Sequence, residues 1–432
     1  MDRLTELIKK DMKPALGVTE PGAIAFAVAT AREYAKGEIL KVKVTLNSGM
    51  YKNAFTCGIP NSDKFGNLYA AALGAVAAKA ELGLESLAYI TQKDNEKASA
   101  MVESGKVEVI MEQVSSKITI DAVVMTEKDS VTVRIRESHT GIVRIEKNGE
   151  IVFSEEAAGE KEGGTEETSE IHKYTLSELL EYVTHVSERD ISFIKEAFSM
   201  NMELLEEGIH SDRTKITKQL LKENKNQLIS DDALRTAQLL CNGAIEARVL
   251  GLSRPAMSIT GSGAHGIIAT MPLFAYFQVK YKEVADVLLL RAAALSFLIT
   301  MYIKEYSGKL SAFCGCGIAA GCGMACGLAF LRGADESQIG MVIRNMASSL
   351  TGMICDGGNH GCAMKGIVAV DAAYRAVDLA MQDIGIGEMH GINGRTPEDT
   401  MKYMGMIASP GMVGTEDTIV NIMEQKMRNG VN

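Results

Sequence analysis

Tryptophan is missing from this 432-residue chain and aromatic residues make up only 5% of it, whereas Ala, Gly and Met are plentiful. That balance suits helices packed closely around small side chains. No block of basic residues occurs and the net charge is −10, which argues against nucleic acid as a partner. No apolar stretch follows the basic residues of the opening MDRLTELIKKDMK, so it reads as a mixed-charge amphipathic helix rather than an export signal. A cytoplasmic protein without a membrane partner is the expectation. Nor are the eight cysteines spread like a disulfide framework, since six fall between Cys314 and Cys362. In a chain read as cytoplasmic, such clustering favours metal binding or catalysis. Charge is also lacking from Leu310 to Leu331. That length would span a bilayer, but five glycines and four cysteines leave it weakly apolar, and a buried helix beside a cofactor is expected.

The length, with 46% hydrophobic and 23% charged residues, allows two or three domains and a large core. Residues 1–37 read as helix, turn, helix, placed to pack on a helical domain further along the chain. Period-two alternation in ILKVKVTLN (39–47) and in the stretches 106–113, 118–127, 130–138 and 141–155 predicts strands, and 68–82 predicts a helix. The KNGE within 141–155 signals a hairpin turn. Residues 38–155 therefore form an α+β domain with an antiparallel sheet. The Glu/Gly/Ser/Thr-rich stretch 154–170 reads as an acidic loop or linker. From 171 to 432 the pattern is helical, at 176–209, 213–224, 230–250, 283–304, 335–350, 367–382, 397–407 and 415–427. Glycine-rich segments at 260–266, 314–327 and 356–361 interrupt it. The fold class is α+β, an antiparallel-sheet unit joined to a larger all-helical domain.

Four motifs could carry chemistry. SAFCGCG (311–317) and MICDGGNHGCAMKG (353–366) combine thiols with glycines, which let a backbone approach a bulky inorganic group. Cys314 or Cys316 with Cys355 and Cys362 would make a three-thiolate site. Iron–sulfur, zinc and plain buried cysteines remain open on residues alone. Cys322 and Cys326 read as small core residues. SITGSGAHGIIATMP (258–272) looks like a glycine-rich turn opening a helix, a setting for an anion such as a carboxylate. No strand is expected before it. Ser262 and Gly263 would bind there, and His265 is a base or a capping donor. In NSGMYKNAFTCGIPNSDKFGN (47–67), read as a polar loop, Lys52 and Asn53 could hold a carboxylate, and Cys57 stands alone. In PALGVTEPG (14–22), Thr19 is expected to cap a helix, with Glu20 favoured by its dipole and Pro21 in its first turn.

Taken in order, PALGVTEPGAIAFA, YKNAFTCGIP, LYAAALGA, GSGAHGIIAT, LSAFCGCGIAAG, MICDGGNHGCAMK and GMVGTEDTIVNIM resemble the landmarks of the L-cysteine desulfidase family. That family is itself similar to the α-subunit of iron–sulfur L-serine dehydratases. The resemblance runs from Pro14 to Met423. It implies a 4Fe–4S cluster on three cysteines with one open iron, β-elimination from a small amino acid, and no pyridoxal phosphate. L-Cysteine would give pyruvate, ammonia and sulfide; an L-serine or L-threonine dehydratase, or a metal-binding protein without a base, are the alternatives. The implied ligands are Cys355, Cys362 and one of Cys314 and Cys316. Thr19 and Lys365 join the implied substrate-binding set, and a homodimer is an admitted assembly. Three motifs depart from the family pattern. Val18 stands where the motif carries a cysteine, the expected catalytic thiol. Ala264 replaces an Asn, and Asn359-His360 replaces a Lys and a small residue. Cys57 in turn occupies a position that is apolar in the family, as if the two had exchanged. Cys57, His265, Glu20 and His360 are thus the candidate catalytic groups.

Overall fold

A computed structural model describes residues 2–155, 169–281 and 286–429. Helix α1 (Arg3–Asp11) is capped by Asp2, whose carboxylate accepts from the Leu4 N–H. Strand β1 (Lys13–Leu16) and helix α2 (Thr19–Tyr34) follow. Strand β2 (Ile39–Asn47) buries Val42, Val44 and Leu46, the apolar set of its alternation. Helices α3 (Ser48–Ala54), α4 (Gly66–Val76) and α5 (Gln92–Glu103) then cross over to strand β3 (Val107–Gln113). Strands β4 (Thr119–Thr126), β5 (Ser130–Arg136), β6 (Ile142–Lys147) and β7 (Glu150–Ser154) complete a six-stranded sheet of order β3-β2-β4-β5-β6-β7. Asn148 and Gly149 both have positive φ in the β6–β7 turn, as the Asn-Gly signal requires.

The sheet is mixed, not wholly antiparallel. β2 and β3 run parallel, because the intervening helices return the chain to the same end before β3 starts. α3 lies inside the stretch 47–67, which is therefore not an extended polar loop. α2 packs on α4 and on the sheet strands β4 and β5, and α1 is the N-terminal helix that touches the later helical region.

That region comprises α6 (Leu176–His185), α7 (Glu188–Ile191), α8 (Lys195–His210), α9 (Ile216–Glu223) and α10 (Ala233–Val249). A short strand β8 (Pro255–Ser258) pairs antiparallel with β1 and leads into α11 (Gly263–Lys280). Contrary to the sequence expectation, a strand does precede the glycine-rich turn. It escaped notice because it is four residues long and its partner lies at the N-terminus. Next come α12 (Val287–Ser307), a wide helical turn at Cys316–Ala320, and α13 (Gly321–Leu331). α14 (Glu336–Leu350), α15 (Gly361–Ala380), α16 (Pro397–Met406) and α17 (Val413–Arg428) end the chain. The expected helix 176–209 is divided into α6, α7 and α8, and residues 156–168 of the expected acidic linker lie outside the described residues.

The glycines of 314–327 do not interrupt helix. They let α13 press on α12: a Cβ at Gly323 would sit 2.3 Å from the Ser296 carbonyl oxygen, and one at Gly327 2.8 Å from that of Ala292. Cys322 and Cys326 are fully buried in this contact. Among the described residues α12 is the one helix long and apolar enough to cross a membrane, and 83% of its apolar stretch is buried inside the protein.

Candidate active site

Backbone pairing brings the two cysteine segments together. Phe313 and Ile354 form a bridge, the Cys314 N–H donates to the Met353 carbonyl (3.0 Å), and the Cys355 N–H donates to that of Ala312 (2.6 Å). Cys362 lies in the first turn of α15, and its thiol donates back to the Gly357 carbonyl (3.5 Å). The loop between them lies across the sheet side. Gly357 has φ +96°, and a Cβ there would be 2.5 Å from the Lys52 carbonyl oxygen; one on Gly358 would be 3.0 Å from Val18. Val18 is 3% exposed, so the position of the expected catalytic thiol is part of the apolar wall behind this loop.

The four thiols sense one another. Burial pushes Cys355 up and Cys362 up to about 12, while neighbouring Cys314 adds repulsion in each case. Cys314 is drawn the other way by a hydrogen bond from Cys316, with the Gly317 N–H donating to its sulfur (3.4 Å) and Lys365 nearby. Cys316, the donor of that pair, is pushed up. Cys314 is therefore the member with the more accessible thiolate. Among the described residues, no three His, Cys, Asp or Glu side chains converge as a single metal ion requires.

Three cations surround the thiols. Lys52 is 0% exposed; its Nζ donates to Glu416 (2.7 Å) and to the Ser311 carbonyl (3.0 Å). Burial lowers its pKa, but Cys355 and Glu416 outweigh burial and raise it. Its charge is committed to α17, which makes it a strut rather than a free carboxylate clamp. Lys304, on α12, donates to the Gly308 carbonyl (2.9 Å); burial lowers it, against the pull of Cys316, Cys355 and Cys314. Lys365 pairs with Asp356 and is raised by that contact and by Cys314, in spite of burial.

On the sheet side, Thr19 does not cap α2. Val18 holds the cap position without a side-chain bond, and Thr19 Oγ1 donates to Glu20 (3.0 Å). Asn53 Nδ2 donates to the other Glu20 oxygen (2.8 Å), and the Asn53 Oδ1 accepts from the Cys355 thiol (3.7 Å). His139, from the β5–β6 loop, brings Nε2 to 3.9 Å from Glu20, beyond hydrogen-bond length. Burial would raise the Glu20 carboxyl, but His139, Asn53 and Arg248 together hold it down to about 2. The polar island at the helix mouth thus serves the cysteine loop, not the helix.

The glycine-rich turn closes the space from the other side. Thr260 and Gly261 have positive φ, and the His139 ring lies over Gly261, 3.6 Å from a Cβ there. α11 starts at Gly263 with no side-chain cap from Ser262. His265 shares a hydrogen bond with Thr260 through Nδ1 (2.5 Å), and its Nε2 abuts Gly315, between Cys314 and Cys316. Burial, with Lys304 and Arg248 nearby, holds its pKa down to about 3, so the imidazole is neutral.

Two candidates stand differently. Cys57 is fully buried, its thiol donates to the Ala54 carbonyl (3.6 Å), and burial with the nearby Glu20 charge pushes it far up, so it is a protonated thiol in the wall. His360 is exposed just before α15, with Nδ1 3.8 Å from Glu246. His139, Lys304 and Arg248 were missed from sequence. None of the three carried a local signal: α10 also contains Arg235 and Glu246, and α12 also contains Arg291 and Glu305.

Residues 81–421 match the profile of the family described as serine dehydratase alpha chain. The match includes Cys314, Cys316, Cys355, Cys362, His265, Lys304 and His139, and starts beyond Glu20, Lys52 and Cys57. A UPF0597 protein of Clostridium botulinum (strain Langeland) is 40% identical over 427 residues, 97% of this chain and 98% of its own. One from Caldanaerobacter subterraneus is 36% identical over 423 residues, 98% of each chain. Another, from Clostridioides difficile (strain 630), is 34% identical over 421 residues, 97% of this chain and 98% of its own.

Proposed function

The chain belongs to the serine dehydratase alpha chain family, and from that premise we propose that it is an iron–sulfur lyase removing the β-substituent of a small L-amino acid, with L-serine ahead of L-cysteine as substrate. The observation that carries this reading is the meeting of three thiols with a buried carboxylate and a neutral imidazole. Cys314, Cys355 and Cys362 would hold the cluster. Thiolates are its usual ligands, Cys314 is the more readily ionised of its pair, and Lys52, Lys304 and Lys365 offset the accumulated negative charge. Zinc would need its ligands to converge on one point, which the described residues do not do; a polynuclear cluster takes thiolates at separate corners. When bound, the cluster supplies a Lewis-acidic iron that stabilises the departing hydroxide or thiolate.

The remaining work falls to the chain. Ser262 and the free N–H groups opening α11 receive the substrate carboxylate. His265 takes the Cα proton at Nε2, its Nδ1 being held by Thr260. Burial is the main cause of the low basicity of His265, and the added repulsion from Lys304 and Arg248 is offset when thiolates and a carboxylate are in place. Val18 and Gly358 keep water from this wall. Elimination leaves an enamine that hydrolyses to keto acid and ammonia. Hydroxide is ranked ahead of sulfide because the family match favours a dehydratase and because position 18, the motif's thiol, is Val.

The test is anaerobic purification followed by iron and sulfide analysis and assays with L-serine, L-threonine and L-cysteine. A brown, air-bleached protein that releases pyruvate and ammonia from L-serine supports the reading. A colourless protein with stoichiometric zinc overturns it.

A further inference from the structure

Arg248 ends α10 inside the protein, 4% exposed. Its Nε is buried without a hydrogen-bond partner, and among the described residues its guanidinium makes no ion pair. A charge out of water without a partner is costly, and charged residues are rarely buried unless paired. The group is also aimed. A Cβ on Gly263 would lie 2.7 Å from Arg248 Nε, so the absent side chain lets the guanidinium rest against the first residue of α11. That 18-residue helix has no side-chain cap, which leaves its first N–H groups without a partner from Ser262.

Glu20 is the matching buried charge, 5% exposed. Thr19 and Asn53 fix its two oxygens, and His139 Nε2 lies 3.9 Å away, beyond hydrogen-bond length. Arg248 and Glu20 are near enough for the guanidinium to stabilise the carboxylate, and both act on His265 and on Cys57. Yet among the described residues no salt bridge within 4.0 Å joins them. Opposite buried charges this near normally collapse into a pair; here the guanidinium rests against Gly263 of α11 and the carboxylate is bonded to Asn53 instead.

We propose that Arg248 and Glu20 form a split receptor for an amino-acid zwitterion, the guanidinium and the α11 N-terminus taking the α-carboxylate and Glu20 taking the α-ammonium. This rests on the lyase reading for the identity of the ligand and adds what that reading lacks, a reason for choosing free α-amino acids. An amide lacks the anion for Arg248. A hydroxy acid satisfies Arg248 but lacks the cation for Glu20.

Calorimetric titration of the anaerobically purified protein tests this with three probes: L-serine, L-serinamide and glycerate. L-Serine binds, and each of the others is weaker by roughly 10- to 100-fold, the scale of a lost hydrogen-bonded charge. In Arg248→Gln, L-serine weakens by a similar factor and serinamide is unchanged. Arg248→Lys recovers part of the loss, keeping the charge without the planar fork. Equal binding of serine and serinamide by the unmodified protein overturns the proposal, as does undiminished serine binding by Arg248→Gln. Should Arg248→Gln not fold, the three-probe comparison and Arg248→Lys decide. Serine binding that depends on Arg248 without ammonia release supports the receptor and removes the lyase; iron-loaded protein that binds neither serine nor cysteine overturns both.

Discussion

The two walls of the site treat their charges differently. On the sheet side the buried carboxylate and ammonium each have close partners, Glu20 in Thr19 and Asn53, and Lys52 in Glu416 and a carbonyl, although His139 Nε2 and Glu416 Oε1 make no hydrogen bond. On the helical side Arg248 lacks a partner at Nε, and Lys304 meets only backbone carbonyls and thiols. A wall whose charges are satisfied can position; a wall with unanswered charges can bind. The sheet side therefore mainly sets geometry, lending Glu20 to the ligand's ammonium, and the helical side takes the cofactor and the ligand's carboxylate.

Removing a thiol from the binding wall should have the largest effect. Cys355→Ser is expected to abolish iron and acid-labile sulfide and with them turnover, while circular dichroism shows a folded chain. Cys316→Ala should keep its iron, since Cys316 is the hydrogen-bond donor of its pair. Equal iron loss in both would erase the assignment of Cys314. In the positioning wall the damage is to stability instead. Glu416→Ala leaves Lys52 at 0% exposure without its counter-charge, a change that costs about 3–5 kcal/mol. Urea unfolding measures it. Lys52→Met combined with Glu416→Leu should recover most of that loss, because two apolar groups replace a pair that needs desolvation.

The same division explains what could be read from sequence. Alternation marked the central strands β2, β4 and β5 of the large sheet, since burial of one face imposes period two, and Asn148-Gly149 marked the hairpin to the exposed edge strand β7. The parallel pairing of β2 with β3 was hidden, because it depends on α3, whose sequence SGMYKNA looks like a polar loop yet buries Lys52 on Glu416 of α17. The cysteines announced the binding wall through their clustering. Arg248, Lys304 and His139 did not announce themselves, because each is one residue on a separate element and only tertiary packing brings them to one space. Thr19 was misread as a cap for the same reason: its partner Glu20 is turned toward Asn53, a contact between elements that no local rule contains.

Glu20 sharpens the comparison, being a positioning group whose charge state also matters to stability. Its folded pKa, about 2, is depressed below the ordinary 4.5. The stabilisation it contributes is therefore present above about pH 4.5 and is lost as pH falls toward 2. The full shift corresponds to about 3 kcal/mol, of which about 2 kcal/mol is gone by pH 3. Unfolding free energies from urea titrations at pH 7 and pH 3 should differ less in Glu20→Gln than in the unmodified protein by about that amount. An identical acid dependence would mean that Glu20 is not the ionised partner of Asn53 and Arg248.

The smallest effect is expected at Cys57, and it bears on which wall the missing thiol belongs to. If Cys57 replaced the motif's cysteine at position 18, it would be a functional group on the sheet side, against the division drawn above. Its thiol is instead fully buried, donates to the carbonyl three residues back, and is kept protonated by burial and the Glu20 charge. Cys57→Ala should cost about 1 kcal/mol, the loss of one small buried group, and leave turnover and iron content unchanged. A collapse of kcat with the cluster intact would make Cys57 the base after all and would take that role from His265. His265→Gln supplies the opposing arm, with kcat lost and L-serine still bound. The two variants assayed together decide whether the proton moves on the helical wall, where the neutral imidazole faces the thiols, or on the sheet wall.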